Sequence, residues 1–493
     1  MTAIDHPSET AQPAAAGHSA VPAMSGRVRV LIGTLVAAAF VMILNETVTG
    51  VALPVIMVDF GITAAAGQWL TTVFMLTLAV IIPMTGFLLQ RFSARSIFLT
   101  ALTVFVLGTA LAAFAPVFGL LVAARVLQAA GTAVMMPLLL TTILDNVPAA
   151  RRGRMIGLLS IVISVAPALG PTLAGLLITV AGWRTIFLVV IPIAVIVLIV
   201  GAVLVRGEAT GGTATFDVLS AILSTAAFGG LLYGFGGIGE AAGGHGAEIP
   251  PLVPILVGAL ALAFFVWRQI VLQRTDSAML DLRTFRYRPF WVGVLLLLVA
   301  MAALFGTLIL LPLYLQGVLG LTPLETGLVT LPGALLMGLA APFIGALFDR
   351  VGPRPLVIPG AFVVGGALLL LAFVGESTPV WYVVVTHVTL SAGLALMMTP
   401  LMTSALGSLP PGLYSHGSAI TSTLQQLAGA FGTALFVSVM SVGTVNAASA
   451  GLDATAAQAQ GIHLAFIVGA AASVLAIALS FLVTKPAGQP TQG

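Results

Sequence analysis

The 493-residue chain has no cysteine. Disulfides, thiolate metal sites and thiol nucleophiles are thereby excluded, and the redox compartment is left undefined. Charge is scarce too: 15 acids and 18 bases make up 7% of the chain, where a soluble domain carries about 25%. With 59% of residues hydrophobic, so little charge cannot cover the surface of a water-soluble particle of this size, and most of that surface must face lipid. The apolar excess is spread along the whole chain, which excludes a soluble enzyme and a catalytic domain on a single anchor. A net charge of +3 is too small for a nucleic-acid footprint. The single lysine, Lys485, is followed by Pro486, so no G-x-x-x-x-G-K-[ST] loop exists and ATP is not the direct energy source. His and carboxylate residues do not cluster as metal ligands, and neither a cofactor nor a catalytic residue is expected.

What is present is a long series of apolar runs. Residues 1–26, rich in Ala, Pro, Ser and Thr, lack the apolar run of a signal peptide and read as a disordered cytoplasmic tail. A window of about 19 residues predicts fourteen membrane-spanning helices, at roughly 28–57, 67–90, 96–115, 117–143, 155–180, 184–205, 216–236, 251–270, 289–313, 325–347, 355–375, 380–403, 418–440 and 462–484. With the N-terminus in the cytoplasm, 16 of the 18 bases fall in inside loops. The exceptions are Arg184, at an outer helix end, and Arg125, within the fourth span. This is the positive-inside signature, and one missed helix would reverse it downstream.

The chain also repeats itself. Gly86-Phe-Leu-Leu-Gln90-Arg91-Phe-Ser93-Ala-Arg95 follows the second span, and Gly345-Ala-Leu-Phe-Asp349-Arg350-Val-Gly352-Pro-Arg354 follows the tenth. Both fit G-x-L-x-x-R-x-x-x-R in a short turn after the second helix of a six-helix half, which points to a duplicated bundle. The expected organisation is an all-α polytopic membrane protein. It comprises a tail (1–26), an N-terminal six-helix bundle (27–206), a two-helix insertion with its linker (207–288), a C-terminal six-helix bundle (289–484) and a tail (485–493). The Gly-rich segment Gly236–Gly246 is expected as an outer loop between the two inserted helices.

Taken together, these residues resemble the fourteen-span drug/proton antiporters of the major facilitator superfamily, and within them the lincomycin-resistance-like multidrug exporters, over roughly residues 28–484. The turn Gly345–Arg354 is similar to the family's G-x-L-a-D-r-x-G-x-R loop, while the first copy has Gln90 at the Asp position and Ser93 at the second Gly. Arg125-Val-Leu-Gln128-Ala-Ala-Gly131 resembles R-x-x-Q-G-x-G. Ala166-Pro-Ala-Leu-Gly170-Pro171-Thr-Leu-Ala-Gly175 resembles the G-P pattern that, in this superfamily, is implied to mark exporters. Leu44-Asn45-Glu46-Thr47 through Pro54 resembles L-D-x-T-x-x-N-V-A-L-P, with Asn45 at the acidic position and the carboxylate moved one residue, about 100° around a helix, to Glu46.

Glu46 is the only acid well inside a predicted span and Arg125 the only base. Ionised in hydrocarbon, Glu46 must face water, pair with a cation or carry a proton, which are the properties of a proton carrier; a purely structural pair with Arg125 is the alternative. Arg125 either tunes and senses that carboxylate or satisfies backbone carbonyls. Gly170, Pro171 and Gly175 are expected to kink and seal the fifth span. Arg91, Arg95, Asp349, Arg350 and Arg354 read as gate elements or as simple topology signals. Glu325, at an outer helix end, is expected to be solvated. Candidate substrate contacts are Asn45, Gln128, Met135, Met136, Tyr314, Gln316, Met397, Met398, Gln425 and Gln426, the methionines because a flexible thioether adapts to varied apolar shapes.

The resemblance implies an alternating-access exporter of lipophilic, often cationic, compounds across a bacterial cytoplasmic membrane. It would be driven by protons, with small lipophilic substrates, protons and the bilayer as its partners. An exporter of an endogenous lipid, metabolite or self-made antibiotic is the first rival. The second is a non-transporting sensor or scaffold, against which an intramembrane acid and base argue.

Overall fold

The structure, a computed structural model, describes residues 26–62, 64–205, 217–242, 249–275 and 277–484. These form fourteen long α-helices: α1 (Gly26–Phe60), α2 (Ala64–Arg91), α3 (Ala94–Ala113), α4 (Phe118–Asn146), α5 (Ala149–Ala181), α6 (Arg184–Leu204), α7 (Val218–Ala242), α8 (Leu252–Leu272), α9 (Arg288–Gly317), α10 (Pro323–Val351), α11 (Arg354–Ala372), α12 (Val380–Gly407), α13 (Tyr414–Ser449) and α14 (Ala454–Ser480). Among the described residues thirteen stretches are long and apolar enough to cross a membrane. The fifth helix, of 33 residues, completes the expected series. Side chains pointing outward are mostly Leu, Ile, Val and Phe, as a multi-pass membrane protein requires, because lipid leaves no backbone group unpaired outside a helix.

Two corrections to the predicted spans matter. Helix α7 runs on to Ala242, so the first part of the expected outer loop Gly236–Gly246 is helical, and residues 243–248 lie outside the described residues. Helix α13 is 36 residues long, from Tyr414 to Ser449, and its C-terminal end runs well beyond the apolar window 418–440, where Ser441, Gly443, Thr444 and Asn446 dilute the hydropathy.

Helices α1 to α6 pack together as one bundle and α9 to α14 as a second. Helix α7 lies against α2 of the first and α13 of the second, and α8 packs mainly on α7. Close contact of α7 and α8 is set by Gly230, Gly234 and Gly258, where an added Cβ would meet the opposite backbone within about 3 Å. The base of this hairpin is fixed by an ion pair. Arg268 donates through Nε and Nη2 to the two oxygens of Asp217, each at 2.8 Å, and Gln269, fully buried, donates to Ser220 Oγ and accepts from Leu280 N.

The Arg268 guanidinium, with Ser220 adding to it, holds the Asp217 carboxyl down to about 2. A depressed carboxylate stabilises the fold above its ordinary value of 3.8 and loses that contribution only as pH falls through about 2. Asp217→Asn is therefore expected to lower the thermal midpoint by a few degrees, for a loss of about 1.5–3 kcal/mol, and by the same amount at pH 7 and pH 5. A loss confined to neutral pH would contradict this account.

The internal repeat is structural as well as sequential. Arg95 donates to Val205 O at the end of α6, and Arg354 donates to Phe481 O at the end of α14, so each copy places a cation on the last carbonyls of the sixth helix of its bundle. The copies differ at their glycine position for a local reason. Gly352 adopts φ +79° to end α10, a left-handed conformation natural to glycine. Ser93, at φ −65°, instead caps α3 by accepting from Ser96 N.

Candidate functional site

Glu46 lies in the middle of α1, about 30 Å from Gly26 at 1.5 Å per residue. Its side chain is half-buried and makes no hydrogen bond or ion pair with any described residue. Arg125, 2% exposed on α4, is near enough for the two charges to interact. Neutral groups hold that guanidinium instead of a direct salt bridge. Its Nε donates to Leu70 O at 3.3 Å, its Nη1 donates to Gln128 Oε1 at 2.9 Å, and its Cζ sits 4.1 Å from the centre of the Phe74 ring. Gln128 in turn donates to Thr109 Oγ1, and Thr109 to Phe105 O. Helices α2 and α4 thus hold one cation with carbonyl, ring and amide, and α3 braces the amide through Thr109, which fixes the cation's position and leaves its charge uncancelled.

Asn45, one residue from the acid, is fully buried, and neither its amide nitrogen nor its oxygen has a partner. Gly170 of α5 packs directly on Thr47, so that a Cβ there would strike the threonine hydroxyl. The G-P motif therefore seats α5 on the turn of α1 that carries Glu46. The surroundings of Pro171 and Gly175 lie outside what is described.

At the end where α1 begins and the arginines cluster, hydrogen bonds join the two bundles. Asp349, in the last turn of α10, accepts from Gly153 N at 3.1 Å and Arg154 N at 3.3 Å, near the start of α5. At the matching place of the first copy, Gln90 donates to Ser415 Oγ and lies against the His416 ring, in the first turn of α13. Arg152 donates to Tyr414 Oη at 3.1 Å, and Ser418 to Pro137 O at 3.3 Å. Both copies of the loop motif thus reach across to a helix start in the other bundle, one with a carboxylate and one with an amide. Arg91 and Arg350 are exposed at the same end. His416, Tyr414 and Arg152 carry this junction without any motif to announce them; the doublet Pro410-Pro411 before α13 is the one signal for its start.

The candidate substrate contacts are dispersed. Gln128 is fully buried in the Arg125 cradle, Met135 is fully buried, and Met397 is buried against α11, where Gly360 makes room for it. Met398 is 8% exposed, while Met136, Gln425 and Gln426 are half-buried. Tyr314 is fully buried and donates its hydroxyl to Gly375 O at 2.7 Å. Gln316, on the next turn, is exposed in a cleft shared with Gln458. Glu325 is exposed and closes a capping box with Thr322 at the start of α10.

The sequence model of the Major Facilitator Superfamily matches residues 35–433. The chain is 42% identical to an MFS-type transporter of Bacillus subtilis, YcnB, over 93% of this chain and 95% of that protein. It is 39% identical to lincomycin resistance protein LmrB of Listeria monocytogenes over 92% and 96%, and 32% identical to a multidrug resistance protein B homolog of Mycobacterium tuberculosis over 82% and 74%. The proton:xylose symporter XylE superposes with a TM-score of 0.62 at 15% identity, over 94% of this chain and 97% of that one, which is a likeness of fold. The chain therefore belongs to the Major Facilitator Superfamily and is a membrane transporter, not an enzyme.

Proposed function

We propose that the chain exports small lipophilic compounds, often cationic, across the cytoplasmic membrane in exchange for protons, with both termini in the cytoplasm. The observation that carries this reading is Glu46: an acid in the interior of α1, half-buried, bonded to no described residue and with a fixed cation within electrostatic reach. An acid kept at that depth without a salt bridge is a functional group by default. The names of the relatives, which speak of lincomycin and multidrug resistance, support drugs as the cargo.

Charge balance supplies the mechanism. When Glu46 is ionised, a proton or a substrate cation can neutralise it, but not both at once. Substrate and proton therefore compete for the same carboxylate, and each bound form selects its own access state. Arg125, held by neutral groups, does not occupy the carboxylate and so leaves it available to either ligand, while its field biases the site against a second positive charge. The bundles would rock about this point, opening the arginine-rich end inward and the other end outward in turn.

Proteoliposomes holding the full chain test the reading, with a monovalent lipophilic cation such as ethidium as the cargo. One proton exchanged for one monovalent cation moves no net charge. A pH gradient is therefore expected to drive uptake into inside-out vesicles, and a membrane potential imposed at equal pH is expected to drive little. Strong response to voltage alone would require a second coupling acid, and substrate movement without any proton movement would remove the antiport reading.

A further inference from the structure

At the arginine-rich end a cavity of about 470 Å³ opens where three segments meet: the last turn of α2, the linker between α8 and α9, and the turn leading into α13. Gln90 lines it from the first segment, Asp281, Arg283, Arg286 and Tyr287 from the second, and Gly412 from the third. Its charges do not cancel. Asp281, 3% exposed, is occupied by Arg283, whose Nε, Nη2 and backbone N lie 2.7, 2.5 and 2.8 Å from the carboxylate. That pair is neutral. Arg286 is exposed and makes no hydrogen bond or ion pair with any described residue, so the wall carries one net positive charge.

The neutral part of the wall supplies donors. The turn Pro411–Leu413 runs straight into the 36-residue α13. Pro411 has no N–H and Leu413 N is spent on Pro410 O, so on this turn Gly412 carries an open N–H. The Tyr287 phenol adds a side-chain donor to the same space.

We infer that this cavity binds a phosphate group, and that the bound group fastens the closed arginine-rich end. A guanidinium, a helix-start N–H and a phenol form a donor set suited to phosphate oxygens. The volume exceeds what a bare ion needs, given that a water molecule takes about 30 Å³, and so leaves room for the alcohol that a phosphate ester carries. Helix α2 ends at Arg91 and α9 begins at Arg288, which puts the cavity where helices leave the apolar span. Basic pockets between membrane helices at that level are suited to anionic lipid headgroups. An occupant would touch α2 of the first bundle, α13 of the second and the linker between them, beside the Gln90 contact with Ser415. It therefore binds best when that end is closed. None of this depends on how Glu46 works.

The test uses the full chain in nanodiscs of phosphatidylcholine alone or with increasing phosphatidylglycerol, and in detergent with increasing inorganic phosphate, reading the thermal midpoint. Arg286→Gln is compared with Arg274→Gln, an equal loss of charge outside the cavity. Phosphatidylglycerol is expected to raise the midpoint of the wild type and of R274Q, and R286Q is expected to need about tenfold more of it for the same rise. A rise with inorganic phosphate that R286Q loses, and to which phosphatidylglycerol adds nothing, keeps the site and makes its ligand a soluble phosphate. Equal responses of R286Q and R274Q to both ligands, or no response of the wild type to either, overturn the inference.

Discussion

Glu46→Gln is expected to reduce pH-gradient-driven transport to the level of empty vesicles. The substitution keeps the size of the side chain and its capacity to hydrogen-bond, and removes only the ability to carry charge. Glu46 has no bonded partner among the described residues to lose, so the fold and thermal midpoint should stay near those of the wild type. A glutamine resembles the protonated acid permanently, and so the carrier can still change its access state with nothing to release. Downhill movement of a neutral lipophilic substrate is then expected to persist while substrate-dependent proton release, followed with a pH-sensitive dye, disappears. Proton release at the wild-type rate in E46Q would move the coupling group elsewhere.

Arg125 supplies the contrasting case. Its guanidinium is bound on several sides, by Leu70 O, Gln128 and Phe74, so removing it disturbs the packing of α2 on α4 as well as a charge. Loss of function in an Arg125 variant would consequently say less about coupling than loss in E46Q. Glu46, which bonds to no described residue, is the sharper probe of the two.

The fourteen helices were legible because lipid enforces one rule, an apolar run about 20 residues long, and because the arginines at alternate ends check the count. Isolation of Glu46 and Arg125 followed from the scarcity of charge. Their geometry did not follow, since Phe74, Leu70 and Thr109 are ordinary residues whose meeting around Arg125 depends on how α2, α3 and α4 cross. The motif offers Asp349 as a gate element or a topology signal, but its partners are backbone N–H groups of α5, which sequence does not distinguish from any others. The same holds for the candidate methionines. Met135 and Met136 are neighbours in sequence, but one is fully buried and the other half-exposed, and only the crossing of helices decides which. Helix α7 outran its predicted end because Gly236 to Ala242 reads as loop composition and yet continues a helix packed on α8.

Gly345→Ala is expected to hold the arginine-rich end open. Gly345 of α10 and Gly153 of α5 lie backbone to backbone across the two bundles: a Cβ on Gly345 would overlap the Gly153 carbonyl, and one on Gly153 would stand 2.5 Å from Gly345 O. No flexible side chain can yield there, so the helices must separate. A methyl group forced into packed surroundings costs about 1–3 kcal/mol, and here the cost falls only on the state in which this end is closed. The equilibrium should therefore move by about tenfold to a hundredfold toward the open end. Because the native chain has no cysteine, one introduced reporter suffices. Ser418 is fully buried at the contact with Pro137 of α4, and Ser418→Cys should react slowly with a membrane-impermeant maleimide until that contact opens. In the G345A background its labelling is expected to accelerate about tenfold or more. Gly366→Ala, where an added Cβ meets nothing within 4 Å, should leave it unchanged. Asp349→Asn removes the charge but keeps an acceptor for Gly153 and Arg154, so it should give a smaller increase in the same direction. Unaltered labelling in a folded G345A would mean that the two glycines do not set the closed state.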